Sequence, residues 1–371
     1  MRILYIIDHF ETNYPRDQNY IIKYMMERGH EITVITSEDA RFRNYDSIFF
    51  PRASITRAPC VGQLRGAKLY FHPLMLDDLF KRFDVVHAFT FFTTSSLLGA
   101  LANVGIRVLR SEIGPSNGRT FAKSKYRFSL YPFLIRIYKD LYNYITAYNY
   151  IEVKSLLTLG FDKRKIIIIS PMIDYDKFSK LAGKGVQDGD HIVLGVIARI
   201  SQEKGIHRLV PLIKCLLKEL GDDAKKFHVS LAGRIDDPSY GYRVLSELRE
   251  SLGERFTYLG EVAPPHKFYR MVNAVIVPSI IETGAINVLE AMAAGKIVIA
   301  GNIYPINLYI RHGIDGFLFT RIFEAVKILK SVMDGSENIE RIRRNAQSRV
   351  KCYDYRLHCS KLERVYKLGN I

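Results

Sequence analysis

Short apolar, β-branched runs alternate with longer amphipathic stretches along all 371 residues, and few folds accept that rhythm. The strand-like runs are Ile3–Ile7, Glu31–Thr36, Val85–Ala88, Arg107–Arg110, Ile166–Ser170, Ile192–Ala198, Phe227–Ala232, Phe256–Leu259, Ala274–Pro278, Ile297–Ala300 and Gly316–Phe319. Helix-like stretches fall between them, among them Asn19–Arg28, Gly205–Leu220, Tyr242–Leu252, Pro265–Val272 and Asn287–Ala294. Strand, helix and strand in repetition imply an α/β fold, with parallel sheets carrying helices on both faces. A near-continuous apolar strand such as IVLGVIA fits a sheet buried on both sides. The pattern breaks in KLAGKGVQDGD, Lys180–Asp190, where glycines and mixed charge replace apolar periodicity. We therefore expect two α/β domains, 1–180 and 181–350, followed by an amphipathic helix within 351–371. A chain of this length also exceeds what one core comfortably supports.

Hydrophobic residues at 48% and charged residues at 25% fit a globular chain and argue against disorder. The cysteines Cys60, Cys215, Cys352 and Cys359 lack metal-site or disulfide spacing, so reduced thiols in the cytoplasm are expected. MRILYIID has no leader-like architecture, and no apolar run approaches the roughly 18 residues that span a bilayer. The formal net charge of +16 calls for an anionic partner. Its densest stretch holds Arg119, Lys123, Lys125, Arg127, Arg136 and Lys139, interleaved with aromatic and aliphatic residues. That mixture suits an anionic membrane surface or a lipid-acceptor groove, giving a peripheral protein. It equally suits a basic helix packed on its own domain. No recognition motif accompanies the charge, so nucleic acid is not expected as a partner.

The sharpest chemical signal is PSIIETGAINVLEAMAAGKIVIA, Pro278–Ala300. A strand ends at Pro278, a glycine-containing loop follows, and a helix begins. The helix start then lies at the carboxyl edge of a parallel sheet, where ligands of open α/β folds bind. Free N–H groups there favour an anion such as a diphosphate. Gly284 and Ala285 are small enough for close backbone approach to a ligand. Glu282 and Glu290 are placed to accept hydrogen bonds from sugar hydroxyls. The alternative for either acid is a solvated surface carboxylate.

This segment closely resembles the E-x7-E motif of glycosyltransferase family 4, the retaining nucleotide-sugar transferases of GT-B fold. The resemblance implies that Glu282 contacts the donor sugar and Glu290 the nucleotide ribose. GVIARISQEKGIHRLV, Gly195–Val210, resembles the family's G-R-L…K-G element. Arg199 and Lys204 would then neutralise the donor diphosphate and stabilise it as leaving group. SLAGRIDD, Ser230–Asp237, resembles the loop that cups the nucleobase, adding Gly233 and Arg234 to the donor-binding set. RHGIDGFLF, ERGHEITVITS and FDVVHAF resemble further family segments. YDYRLHCSKLERVYKL resembles the terminal helix that crosses back to the first domain.

Several positions depart from the family. Thr283 and Gly284 replace the usual glycine and bulky residue after the first glutamate, which bears on donor-sugar choice. HFETNYPRDQNY lacks the usual glycine pair after the first strand. The histidine expected after the fourth strand is absent from VLRSEIGPSNG, and Glu112 stands close to its place. Phe89 replaces the second histidine of H-x-H, leaving His87. His9, His87 and Glu112 form the acceptor-region candidates, with Glu112 also a catalytic candidate beside Glu282, Arg199 and Lys204. A lone histidine is more often a satisfied structural group than a catalyst. Asp174-Tyr175-Asp176 fits a metal motif in form but is read as structural. No metal and no resident cofactor are expected, with the nucleotide-diphosphate sugar as co-substrate. G-x-G-x-x-G and P-loop motifs are absent.

The resemblance thus implies two Rossmann-like domains with an interdomain cleft, the donor on the second and a glycan or lipid-linked acceptor on the first. Two other functions fit the same fold: a nucleotide-sugar epimerase, and a non-catalytic binder of nucleotide sugar or membrane.

Overall fold

The computed structural model describes residues 1–8, 10, 16–38, 46–64, 67–70, 83–89, 94–102, 104–110, 131–183, 192–335 and 338–368. His9, Glu112, the basic positions from Arg119 to Arg127 and most of the Lys180–Asp190 stretch lie outside the described residues. The chain forms two compact units, one of Met1–Met172 with Tyr355–Ile371 and one of Ile173–Asp354. The division therefore precedes the glycine-rich stretch. Ile173, Phe178 and Leu181 are buried in the core of the second unit, which draws that segment into it.

In the first unit the strands are β1 Arg2–Ile7, β2 Glu31–Ser37, β3 Ala53–Ala58, β4 Cys60–Leu64, β5 Ala67–Tyr70, β6 Phe83–Phe89, β7 Val104–Arg110, β8 Tyr144–Ala147 and β9 Ile166–Ile168. Seven of them pair in parallel in the order β3-β2-β1-β6-β7-β8-β9, while β4 and β5 form a separate antiparallel pair. The helix Tyr355–Lys367 packs into this unit. Tyr355, Cys359, Leu362 and Tyr366 join a core with Tyr5, Tyr20, Met25 and Val85. Tyr20 stacks on Tyr355 at 5.0 Å between ring centres. Lys367 and His30 both bond the carboxylate of Glu363, at 2.8 and 3.1 Å. The described end of the basic stretch, Ile135–Leu141, turns Ile135, Ile137 and Tyr138 into a core cluster and leaves Arg136 exposed. For these residues the packed-helix reading holds.

Asp17, the first residue of the helix Asp17–Glu27, meets Arg110 at the end of β7, and both are buried. The second Asp17 oxygen accepts from the Met172 N–H at 3.3 Å. The Arg110 guanidinium lies 4.3 Å from the centre of the Tyr148 ring.

The second unit contains β10 Ile192–Ile197, β11 Phe227–Ala232, β12 Phe256–Tyr258, β13 Ala274–Val277, β14 Ile297–Gly301 and β15 Phe317–Phe319. They pair in parallel in the order β12-β11-β10-β13-β14-β15. Alternate residues feed two cores: Leu194, Ile276 and Ile299 on one face, Val275, Val298 and Ala300 on the other. That is the pleat of a sheet buried on both sides. Helices Leu209–Leu220, Pro238–Leu252 and Ile322–Met333 cover the first face. Helices Ile286–Ala293 and Ile339–Val350 cover the second. Asp237 caps Pro238–Leu252 by accepting from Ser239 and Tyr240 N–H, which starts that helix earlier than its apolar pattern suggests.

Removing one member of a buried ion pair leaves an uncompensated charge, at about 3–5 kcal/mol. Asp17→Ala should therefore destabilise the first unit by about that amount. Guanidinium denaturation followed by circular dichroism reads the loss, and an unchanged midpoint would contradict a stabilising role for the pair.

Candidate functional site

The strand order of the second unit reverses direction at its centre. From β10 the chain steps outward to β11 and β12, then returns to β13 on the other side and continues to β14 and β15. Loops leaving β10 and β13 consequently part at the carboxyl edge, which is where open α/β sheets bind ligands. These two loops are Ala198–Gly205 and Pro278–Ala285, and they carry Arg199, Lys204, Glu282, Gly284 and Ala285.

The loops are bound tightly to each other. The Glu203 carbonyl accepts from the N–H groups of Ile280 and Ile281 at 2.9 and 3.2 Å. Gly205 sits in the left-handed region at φ 64°, where a Cβ would stand 2.3 Å from the Pro278 carbonyl oxygen, so no other residue fits. Lys204 Nζ lies 3.0 Å from Glu282 Oε1, with the two side chains 17% and 5% exposed. Ser279 Oγ donates to the same oxygen at 2.8 Å. The glutamate expected at the sugar and the lysine expected at the diphosphate are thus one ion pair.

Arg199 is also committed. Its guanidinium pairs with both Asp236 and Glu203. Arg234 Nε donates to the other Asp236 oxygen at 2.9 Å. Arg199, Arg234 and Lys204 are thus paired with Asp236, Glu203 and Glu282. Glu203 and Asp236 were not singled out from sequence, although each stands within four residues of an expected cation. Gly233 has a packing role: a Cβ there would lie 1.8 Å from the Ala198 carbonyl oxygen. Its own carbonyl accepts from Tyr258 Oη at 2.9 Å.

Helix Ile286–Ala293 opens at the same edge. Ala285, just before it, has φ 45°, the one positive φ outside glycine among the described residues. An alanine there costs roughly 1–2 kcal/mol, and such strain gathers at ligand sites. Asn287 Nδ2 donates to the Ile197 carbonyl at 3.0 Å, tying the helix start to the end of β10. Tyr309 Oη donates to the Gly284 carbonyl at 3.1 Å. Glu290 lies one turn further in, buried, with Tyr269 Oη donating to Oε2 at 3.0 Å. Burial pushes its carboxyl up to about 8, against the opposing influence of the Tyr269 hydroxyl and Lys177.

In the first unit, His87 is buried at β6, with Nδ1 2.5 Å from Tyr366 Oη. Burial, with Arg110 nearby, holds its imidazole neutral. The structure thus gives His87 a core partner. Asp174 caps the short helix Tyr175–Ser179 by accepting from Lys177 N–H. Among the described residues no group of three or more His, Cys, Asp or Glu side chains could hold a metal ion, and no helix is long and apolar enough to cross a membrane.

Residues 178–349 match the glycosyl transferases group 1 family, and residues 19–177 match glycosyltransferase family 4. The chain belongs to the family-4 glycosyltransferases. An uncharacterized glycosyltransferase of Methanocaldococcus jannaschii is 30% identical over 44% of this chain and 43% of its own length. The lipopolysaccharide 1,2-N-acetylglucosaminetransferase of Salmonella typhimurium is 31% identical over 38% of this chain and 39% of its own. The match thus spans about two fifths of the length of these curated relatives. Among solved structures, Anabaena HepE in complex with UDP and glucose superposes with TM-score 0.74 at 15% identity, covering 99% of this chain and 100% of HepE. WaaG, a glycosyltransferase involved in lipopolysaccharide biosynthesis, superposes with TM-score 0.73 at 13% identity, covering 99% and 100%. These likenesses establish the fold, two Rossmann-like domains of GT-B type.

The Glu290 carboxyl predicts a pH signature. Its folded pKa of about 8 exceeds the ordinary carboxylate value, so the folded state holds a proton that the unfolded chain has released. That stabilisation is complete below the unfolded pKa and is lost as pH rises through about 8. Glu290→Gln should therefore gain stability over wild type as pH rises from 5 to 8, by at most about 1.4 kcal/mol per pH unit. Denaturation midpoints at several pH values read the trend, and a constant difference between the two proteins would contradict it.

Proposed function

We propose that this chain is a retaining hexosyltransferase that takes its sugar from a nucleotide-diphosphate donor bound at the carboxyl edge of the second unit. The observation that carries this reading is the Lys204–Glu282 pair at the strand-order reversal, beside the start of helix Ile286–Ala293. A cation, a sugar-accepting carboxylate and the start of a helix converge there, as a nucleotide-diphosphate sugar requires. The donor's diphosphate would take Lys204 and draw Arg199 from its acids. Sugar hydroxyls would donate to Glu282, and the ribose to Glu290.

The chemistry follows from charge. As the diphosphate departs, negative charge grows on the leaving oxygen and oxocarbenium character on the sugar. Lys204 and Arg199 would stabilise the first, an effect often worth a few kcal/mol per well-placed donor. A donor phosphate oxygen would take the proton of the incoming acceptor hydroxyl, so no protein nucleophile is needed and retention follows from attack on the face the leaving group vacates. Side-chain cations do the work elsewhere done by a metal, so the reading includes none.

The acceptor is proposed to be a glycan or lipid-linked glycan. The Salmonella relative's name, a lipopolysaccharide N-acetylglucosaminetransferase, supports that class. So does charge: the first unit holds 28 Lys and Arg against 16 Asp and Glu, the second 26 against 22. The excess therefore sits on the unit expected to receive the acceptor, fitting an anionic acceptor at the cytoplasmic surface of a membrane.

Calorimetric titration of the full chain with UDP, GDP and ADP tests the reading. One diphosphate should bind, and Lys204→Ala should weaken it about 10- to 100-fold, the loss expected for a charged hydrogen bond. Binding to none of the three by folded protein would remove the reading. Donor binding with conversion of the sugar and no need for acceptor would replace it with an epimerase.

A further inference from the structure

Arg208 touches none of the groups assigned to the donor. It follows the tight turn at Gly205 and directly precedes helix Leu209–Leu220. Its Nη1 donates to the Pro278 carbonyl at 2.9 Å and reaches the Ser279 carbonyl at 3.4 Å. Its guanidinium carbon lies 5.3 Å from the centre of the Phe319 ring. Gly301 completes the surround: a Cβ there would stand 3.7 Å from Arg208 Nη1 and 3.1 Å from the Ser279 carbonyl oxygen. One half-buried cation thus spans the carboxyl ends of β13, β14 and β15.

A guanidinium keeps its charge under burial, so its desolvation must be offset by contacts. Here the contacts are two carbonyls and an aromatic face. An arginine satisfies both together, because its planar fork donates at the edge and stacks on the face. A lysine offers only a point charge.

The connection to Glu282 runs through a single residue. The Ser279 backbone carbonyl lies against Arg208, and its hydroxyl donates to Glu282 Oε1 at 2.8 Å. Glu282 in turn meets Lys204. A shift of the peptide at Ser279 therefore moves the hydroxyl that holds the carboxylate. Errors of about 1 Å in such groups can cost a hundredfold in function.

We propose that Arg208 is a positioning residue for donor-sugar recognition: it holds the Pro278 and Ser279 carbonyls, and through Ser279 it sets the Glu282 carboxylate where the sugar meets it. This rests on the reading of the second-unit edge as the donor site. A purely structural arginine would affect the whole edge alike. A positioning arginine affects the sugar more than the diphosphate, because Glu282 serves the sugar.

The test is calorimetric binding by the full chain of a free nucleoside diphosphate and of its hexose conjugate. UDP with UDP-glucose and UDP-N-acetylglucosamine come first, and the corresponding GDP and ADP compounds follow if wild type prefers those bases. Arg208→Leu should lose about tenfold more affinity for the conjugate than for the free diphosphate. Arg208→Lys should recover part of that loss. Arg208→Leu combined with Glu282→Gln should be no weaker than the weaker single variant, since both act on one contact. Phe319→Leu, which removes the stacked ring and keeps an apolar side chain in the core, should show a smaller loss of the same selectivity and keeps the test open if Arg208→Leu does not fold. Equal losses for both ligands, or additive losses in the double variant, would overturn the positioning role while leaving the donor site standing. Failure of wild type to bind any diphosphate would bring down the donor site and this role together.

Discussion

The order of six strands governs the second unit. Because β11 and β12 lie on one side of β10, and β13 to β15 on the other, the loops leaving β10 and β13 are carried apart at the carboxyl edge. They are nonetheless drawn to each other through backbone bonds to Glu203, a close approach at Gly205 and the Lys204–Glu282 pair. Topology opens the place for a ligand, and these contacts give it a defined shape.

The edge is built from charges that satisfy one another. Arg199 and Arg234 share Asp236, Arg199 also holds Glu203, and Lys204 holds Glu282. Such pairing ties the loops together, and on the proposed reading an incoming diphosphate would compete with these carboxylates for its cations. The partly exposed pairs around Arg199 contribute little stability individually, so exchanging their partners is cheap. Lys204 and Glu282 are more enclosed, at 17% and 5% exposed, so their pair is less screened by water than those around Arg199. Glu290 follows a different logic. Its burial favours the protonated form against the pull of the Tyr269 hydroxyl, and on the proposed reading ribose hydroxyls would draw it further toward the carboxylate. Site groups with such environments commonly trade stability for binding.

Much of this was legible in the residues. The apolar runs that became β1, β2, β10, β11, β13 and β14 are continuous enough to read directly, and they sit at or near the sheet centres. β3, with the sequence ASITRA, was missed because an edge strand with one wet face needs no apolar run. β8, YITA, is too short to show a period. Lys204 and Glu282 stand out by their place after strand ends, and Glu290 by its place within the helix that follows. That Lys204 and Glu282 touch each other was hidden, since 78 positions separate them and only the parallel sheet brings β10 and β13 together. Arg208 left no trace in sequence, because its partners are backbone carbonyls and a ring more than a hundred positions away. Tyr269 likewise reads as a core aromatic until its hydroxyl is seen on Glu290.

Hydrogen exchange of the full chain, read by mass spectrometry with and without a saturating nucleotide-diphosphate sugar, addresses the donor site most directly. It needs no acceptor and reports where the ligand lies. Exchange should slow in peptides covering residues 199–208 and 279–290, with little change in the core of helix Pro238–Leu252. Bound ligand that protects only the first unit, or no peptide around Lys204 and Glu282, would contradict the placement of the donor at this edge.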